Sequence, residues 1–204
     1  MLTADELAQV CDVLIEHENL VPWLYCDSRG FVTVGVGDKV TASTVVTMPF
    51  VHRLSGEGAS TGEKLAALVR VQDTFRKGFT ASAYRACSDL RLSAAFCRRR
   101  LEYRVKAEFV PTVLKHCPQA ASFPTAAKLC LVDIAYNVGV VGFGRFQHLI
   151  AGCNSLHFFA VCDEVHTDKE DEDPKDWRTW GKRNKWRRDM MILAGRDSVT
   201  PVLT

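Results

Sequence analysis

The stretch from Glu18 to Gly37, ENLVPWLYCDSRGFVTVGVG, limits the fold more narrowly than any other part of the chain. Ahead of it, residues 3–17 read as an amphipathic helix. Thr3 with Glu6 makes a capping box, and Leu7, Val10, Cys11 and Leu14 recur at helical spacing. Pro22 interrupts that pattern. Phe31 to Val36 then alternates bulky and small residues, is rich in β-branched ones, and is bounded by Ser-Arg-Gly and Gly37-Asp38. The chain is therefore expected to end a helix and turn at once into a β-hairpin.

The rest of the chain reads mostly as helix. Residues 41–55 fit either a strand or a helix. The segment GEGAST (56–61) breaks the pattern, and Thr61 is expected to cap a helix to about Phe75 with Leu65, Leu68, Val69 and Val71 as its apolar stripe. Residues 80–116 look helical, with Arg98, Arg99 and Arg100 together. Pro124 suits a first helical position, so 124–138 is predicted as the most apolar helix, ending at Gly139. A second helix is expected over 143–151. The acidic run Asp168, Glu170, Asp171, Glu172 and Asp173 reads as a solvated loop, and the last part of DWRTWGKRNKWRRDMMIL as a helix. The sum is an α+β fold, mostly helical, in one domain: a hairpin lobe over about 19–56, and a helical lobe over about 57–204 plus helix 3–17.

Composition narrows the function classes. With 204 residues, 47% of them hydrophobic, the chain can bury one sizeable core. A net charge of +2 does not by itself imply a nucleic-acid or membrane partner. No stretch approaches 18 uncharged apolar residues, so no membrane-spanning helix is expected. The N-terminus lacks a basic region and carries Asp5 and Glu6, unlike a signal peptide. Eight cysteines form no CxxC pair, which disfavours a zinc ribbon or a thioredoxin motif. Most are expected to be small buried thiols, with disulfides open only in an oxidising compartment.

Glu18, Asp27 and Thr33 carry the candidate chemistry. Glu18 falls three residues after Ile15 and four after Leu14, on or beside the buried face of the first helix. A partly buried carboxyl keeps its proton and serves as a general acid. Asp27, nine residues on, is expected as an exposed turn carboxylate that stays ionised and serves as a base. The Thr33 hydroxyl is placed to hold water against it. Glycosidic-bond hydrolysis with inversion needs two carboxyls roughly 6.5–9.5 Å apart, with water between. Each residue has a plainer reading: a solvated helix residue for Glu18 and a turn former for Asp27. Elsewhere, Val34-Gly35-Val36-Gly37 lacks the third glycine and following helix of a nucleotide loop. His157, Cys162 and His166 fit no standard zinc spacing. Trp177, Trp180 and Trp186, interleaved with Arg178, Arg183, Arg187 and Arg188, suit either an anionic polymer or a helix with tryptophans on the core and basic residues in water.

The run Glu18, Tyr25-x-Asp27, Gly30, Thr33-x-Gly35-x-Gly37 resembles the motif of the phage-type lysozymes and endolysins, the T4-like muramidase family. Its Glu, Asp and Thr match Glu18, Asp27 and Thr33 without a gap. A second block, AAKLCLVDIAYNVGVVGFGRF, resembles the family's core helix, with Asn137, Gly139 and Phe143 or Phe146 in place. A third, GKRNKWRRDMMIL, resembles its C-terminal helix at Asn184 and Asp189. Residues 40–120 show no such resemblance. Two positions depart: Asp38 stands where the family usually has His, and Asn19 where a Gly often follows the Glu.

The resemblance implies hydrolysis of the β-1,4 bond between N-acetylmuramic acid and N-acetylglucosamine in peptidoglycan, in a cleft between the two lobes, with no metal and no organic cofactor. It implies Tyr25 and Asn137 as substrate contacts, although Gly139 makes helix capping the simpler role for Asn137. A lytic transglycosylase and a non-catalytic wall-binding module are the alternative readings. The chain is expected to be a monomer acting in the periplasm or cell wall without inserting into membrane or binding nucleic acid. It would be exported by holin release or a dedicated secretion system, in the latter case with an immunity protein as partner.

Overall fold

A computed structural model of the protein describes residues 1–167, 178 and 180–199. The acidic run at 168–173 and Trp177 lie outside the described residues. The chain forms two compact units, one of Leu14–Leu101 and one of Met1–Val13 with Glu102–Thr204.

The unit Leu14–Leu101 holds the hairpin. Helix α1, Ala4–Glu18, runs into it and is followed by the antiparallel strands β1 (Val21–Cys26), β2 (Val32–Gly35) and β3 (Asp38–Lys39), in that order across the sheet. Tyr25 pairs with Thr33 and Cys26 with Val32; the register shifts between Val21 and Tyr25. That irregularity takes up Pro22, which has no N–H to give a ladder. The return from β2 to β3 uses Gly35 and Gly37 at φ of 66° and 63°, a region open to glycine without steric cost. One face of the sheet is buried, with Leu24, Cys26, Val32 and Val34 packed on Phe50, Met48 and Val71. Residues 57–101 fall in this same unit.

The ambiguous stretch 41–55 contains both kinds of element, a one-turn helix α2 (Ala42–Val45) and a short strand β4 (Val51–His52). The helix expected from Thr61 is α3, Thr61–Asp73, but its cap is Ser60, whose side chain accepts from the Glu63 N–H while Glu63 reaches back to the Ser60 N–H. Val71 and Ala67 are its buried residues, Leu65 and Leu68 pack partly buried on the same core, and Val69 alone of the expected stripe is exposed. Within 80–116, a strand β5 (Leu90–Arg91) pairs with β4 ahead of helix α4, Ala94–Arg104.

The second unit is helical. A π-turn at Val105–Phe109 leads into α5 (Val110–His116), then α6 (Thr125–Phe143), α7 (Gln147–Asn154) and α8 (Lys182–Val199). Gly139 breaks α6 at φ 80°, ψ 167°, at the predicted end of the apolar helix. The next helix begins at Gln147 rather than 143, because the residues after Gly139 resume a helical turn first. Ala126 to Ala135 are buried all round the helix. By length and composition α6 is apolar enough to cross a membrane, but 67% of that window is buried in the fold. Its two charges are both paired inside: Lys128 with Glu6 at 2.5 Å, and Asp133 with two arginines of α8. All eight cysteines are free thiols, seven of them buried.

Glu6 makes an acid-stability prediction. Its burial would raise the carboxyl pKa, but the Lys128 ammonium, the Thr3 N–H and the Thr125 hydroxyl hold it down to about 2 from 4.5. A depressed folded-state value adds stability above the unfolded value, which is lost as pH falls through the folded one. The chain should therefore shed on the order of 2 kcal/mol between about pH 4.5 and pH 2. Urea unfolding of Glu6→Gln should be weaker at neutral pH and flatter across that acid range. An acid limb unchanged by the substitution contradicts the assignment.

Candidate active site

Glu18 is the last residue of α1 and is partly buried, on the line of the buried Cys11 and Leu14. The helix stops immediately after it because Asn19 takes a left-handed conformation, φ 63°, and its N–H donates to the Ile15 carbonyl at 2.9 Å. Glycine and asparagine are the residues that occupy such a position readily. The departure Asn19 for Gly therefore keeps the same helix end. Asn19→Gly should leave stability within a few tenths of a kcal/mol, whereas Asn19→Val should cost about 1–2 kcal/mol, read by thermal unfolding. Equal midpoints for both variants would show that this backbone position sets nothing.

Asp27 closes the turn between β1 and β2. Its Oδ1 accepts from the Arg29 and Phe31 N–H groups, both at 2.9 Å, and its carbonyl accepts from the Gly30 N–H at 2.9 Å. Gly30 sits at φ 83°. The carboxylate is partly buried and fixed by its own turn, not freely exposed as expected, since an Asx turn folds its side chain onto the following backbone. Oδ2 accepts no hydrogen bond from the described residues.

Thr33 lies across from Tyr25, so the two side chains share a face of the sheet, opposite the buried face of Leu24 and Cys26. It is only 2% exposed, and its hydroxyl donates to the Phe31 carbonyl at 2.9 Å. With its proton committed, Oγ1 is left as an acceptor, able to receive a proton of a water but not to donate to one. Tyr25 joins the two carboxylates. Burial pushes its phenol up to about 12, and the negative charges of Glu18 and Asp27 add to the rise. Tyr25 stays a neutral O–H at any physiological pH, within the field of both acids.

Asp38 is buried and ion-paired with Arg100 of α4. That pair fastens β3 to the helix after β5. Arg100 is one of the three adjacent arginines, and sequence gave no sign of its partner sixty residues away.

In the other unit, Asn137 is exposed, makes no hydrogen bond with the described residues, and caps nothing; the capping role is corrected. It lines a cavity of about 560 Å³ with Val138, Gly142, Arg145, Phe146, His166 and Thr167. Behind Thr167 lies a charge network. Asp133, fully buried, accepts from Arg183 at 2.9 Å and 3.1 Å and from Arg187 Nε at 2.5 Å. Arg187 also donates to the Thr167 hydroxyl at 2.9 Å and to Asn184 at 3.0 Å, and its Nη2 has no hydrogen-bond partner among the described residues. Burial lowers the Arg187 pKa, and Asp133 opposes that. Arg188 pairs with Asp163 at 2.6 Å. Arg187 is fully buried and Arg183 and Arg188 partly so, whereas Arg178 is exposed, and Trp180 rather than Trp186 is the fully packed tryptophan. His166 packs its ring on Trp180, and among the described residues no three His, Cys, Asp or Glu gather as a metal site.

The chain has a lysozyme-like α+β fold: mostly helical, with a small antiparallel sheet whose turns hold Asp27 beside a helix ending in Glu18. The solved structure of a point mutant of P22 lysozyme matches 94% of this chain and 98% of that one, with a TM-score of 0.52 and 13% sequence identity. No family model and no curated protein matches the chain.

Proposed function

We propose that this protein is a muramidase, hydrolysing the β-1,4 bond between N-acetylmuramic acid and N-acetylglucosamine in peptidoglycan. The observation that carries the reading is the joint placement of Glu18, Asp27, Tyr25 and Thr33 around one hairpin face. Glu18 donates its proton to the glycosidic oxygen as the bond to the anomeric carbon breaks. A water held between Asp27 and Thr33 attacks that carbon from the other side of the sugar. One water proton points to Thr33 Oγ1, an acceptor because its own proton is on the Phe31 carbonyl. The other goes to Asp27 through Oδ2, the oxygen that the turn leaves open. Tyr25, a neutral phenol in the field of both acids, is assigned to the substrate.

Such a substrate lies in the periplasm or cell wall. The experiment is clearing of purified cell walls by the protein, followed by reducing-end assay of the supernatant. Clearing with new reducing ends supports hydrolysis. Retention on the walls with no sugar released would make the chain a binding module instead.

A further inference from the structure

Two guanidinium groups lie over the indole of Trp23 and a third neighbours one of them, apart from every residue assigned above. The Arg85 guanidinium carbon lies 5.5 Å from the Trp23 ring centroid and that of Arg91 lies 5.3 Å away. The indole is itself fixed, with its N–H donated to the Ala81 carbonyl at 2.9 Å. Arg91 is anchored on neutral groups only: its Nη1 donates to the Ser88 and Leu90 carbonyls at 2.7 Å each, and its Nη2 to the Arg85 carbonyl at 3.1 Å. The third cation, Arg53, reaches Asp89 at 3.3 Å. His52 lies 4.0 Å from the same Asp89 and 3.1 Å from Glu63.

Set against one another, three arginines and the single carboxylate of Asp89 leave two positive charges in excess. The Arg85 guanidinium has no hydrogen bond or ion pair among the described residues. Burial, and then the neighbouring charge of Arg53, lower the Arg91 pKa, a sign that like charges crowd one another here. A guanidinium held over an aromatic face keeps its N–H edges for an acceptor, and that fork fits two oxygens of one phosphate or carboxylate. Gathering like charges without a counter-ion is unfavourable, and an anion would relieve it.

We propose that Arg85 and Arg91 over Trp23, with Arg53 beside Arg91, form a binding site for the oxyanions of a polymer, a chain of phosphodiesters or carboxylates. A polymer fits better than a single ion. Arg53 and Arg85 are exposed, and an exposed ion pair contributes only about 0–1 kcal/mol. Several such contacts made by one chain add as effective concentration does. The site lies within the hairpin unit, since Trp23 is on β1 and Arg91 on β5, so it tethers an anionic chain to the unit that carries Glu18 and Asp27. It needs no hydrolysis to work.

The test is calorimetric titration of the whole chain with poly(glycerol phosphate), with polyglutamate and with a neutral chitooligosaccharide, at low and high salt. The expected result is that a polyanion binds, that salt weakens it, and that Arg53→Gln with Arg85→Gln weakens it at least about tenfold. Binding of the phosphodiester alone identifies phosphate as the source, and equal binding of both polymers a general oxyanion site. Thermal unfolding of the same double variant should match the wild type, because both side chains lie at the surface. Arg91 is left intact because it holds three carbonyls. Glu18→Gln should bind the polyanion as the wild type does, which separates failure of this site from failure of the hydrolase reading. No binding by either polymer, or full binding by the double variant, overturns the proposal.

Discussion

Glu18→Gln should reduce the rate of cell-wall clearing by about 10²–10⁴-fold, with thermal stability kept within about 1 kcal/mol. The amide is close to the carboxyl in shape but has no proton to give the leaving oxygen. The helix end at Glu18 is set by the backbone of Asn19, whose N–H holds the Ile15 carbonyl, and the amide keeps the size of the side chain. Asp27→Asn should fall in the same range for a different reason: it keeps the Oδ1 contacts of the turn and removes the base. A circular-dichroism midpoint measured beside each rate separates chemistry from unfolding. A Glu18→Gln variant that clears walls as fast as the wild type would remove Glu18 from the reaction.

The largest stability effect should come from Asp133→Asn, at about 3–5 kcal/mol. Asp133 is fully buried and is the shared acceptor of Arg183 and Arg187, and Arg187 is itself 0% exposed. Removing the charge leaves the fully buried Arg187 guanidinium without the carboxylate that its Nε meets, and a buried unpaired charge costs far more than the pair is worth. Since a domain of this kind is stable by about 5–15 kcal/mol, the variant should lose a large share of its margin. Urea titration reads the effect as a shifted midpoint with an unchanged slope. Replacing the whole group with apolar residues of like volume should restore part of the loss, because the desolvation cost disappears with the charges. A shift under about 1 kcal/mol would mean that water reaches the network.

The contrast between these two sites explains what sequence could and could not tell. The helix, the turn and the hairpin were legible because their causes are local. The Thr3–Glu6 box, the glycines at positive φ and the alternation from Phe31 to Val36 all act within a few residues. Gly139 likewise announced the break in α6. The two strands β4 and β5 are two residues each, too short to show alternation, and they pair across thirty-eight residues. The arginines of α8 stayed open between a bound polymer and water because nothing nearby in sequence reveals Asp133, fifty residues upstream of Arg183. Asp38 failed to reveal Arg100 for the same reason. Asn137 looked like a cap because its helix ends two residues later, yet its side chain turns to a cavity rather than to that end. Asn19 was the opposite case: a local departure from pattern whose local backbone requirement accounts for it.

The most direct test of the central claim is to digest purified walls in heavy-oxygen water and weigh the released disaccharide peptides. Hydrolysis with Glu18 as acid and an Asp27-held water as nucleophile predicts a reducing-end sugar that carries one oxygen atom from the solvent. Products that lack the added water and close on themselves as anhydro-sugars would contradict it, since a transglycosylase needs no water at Asp27 and Thr33.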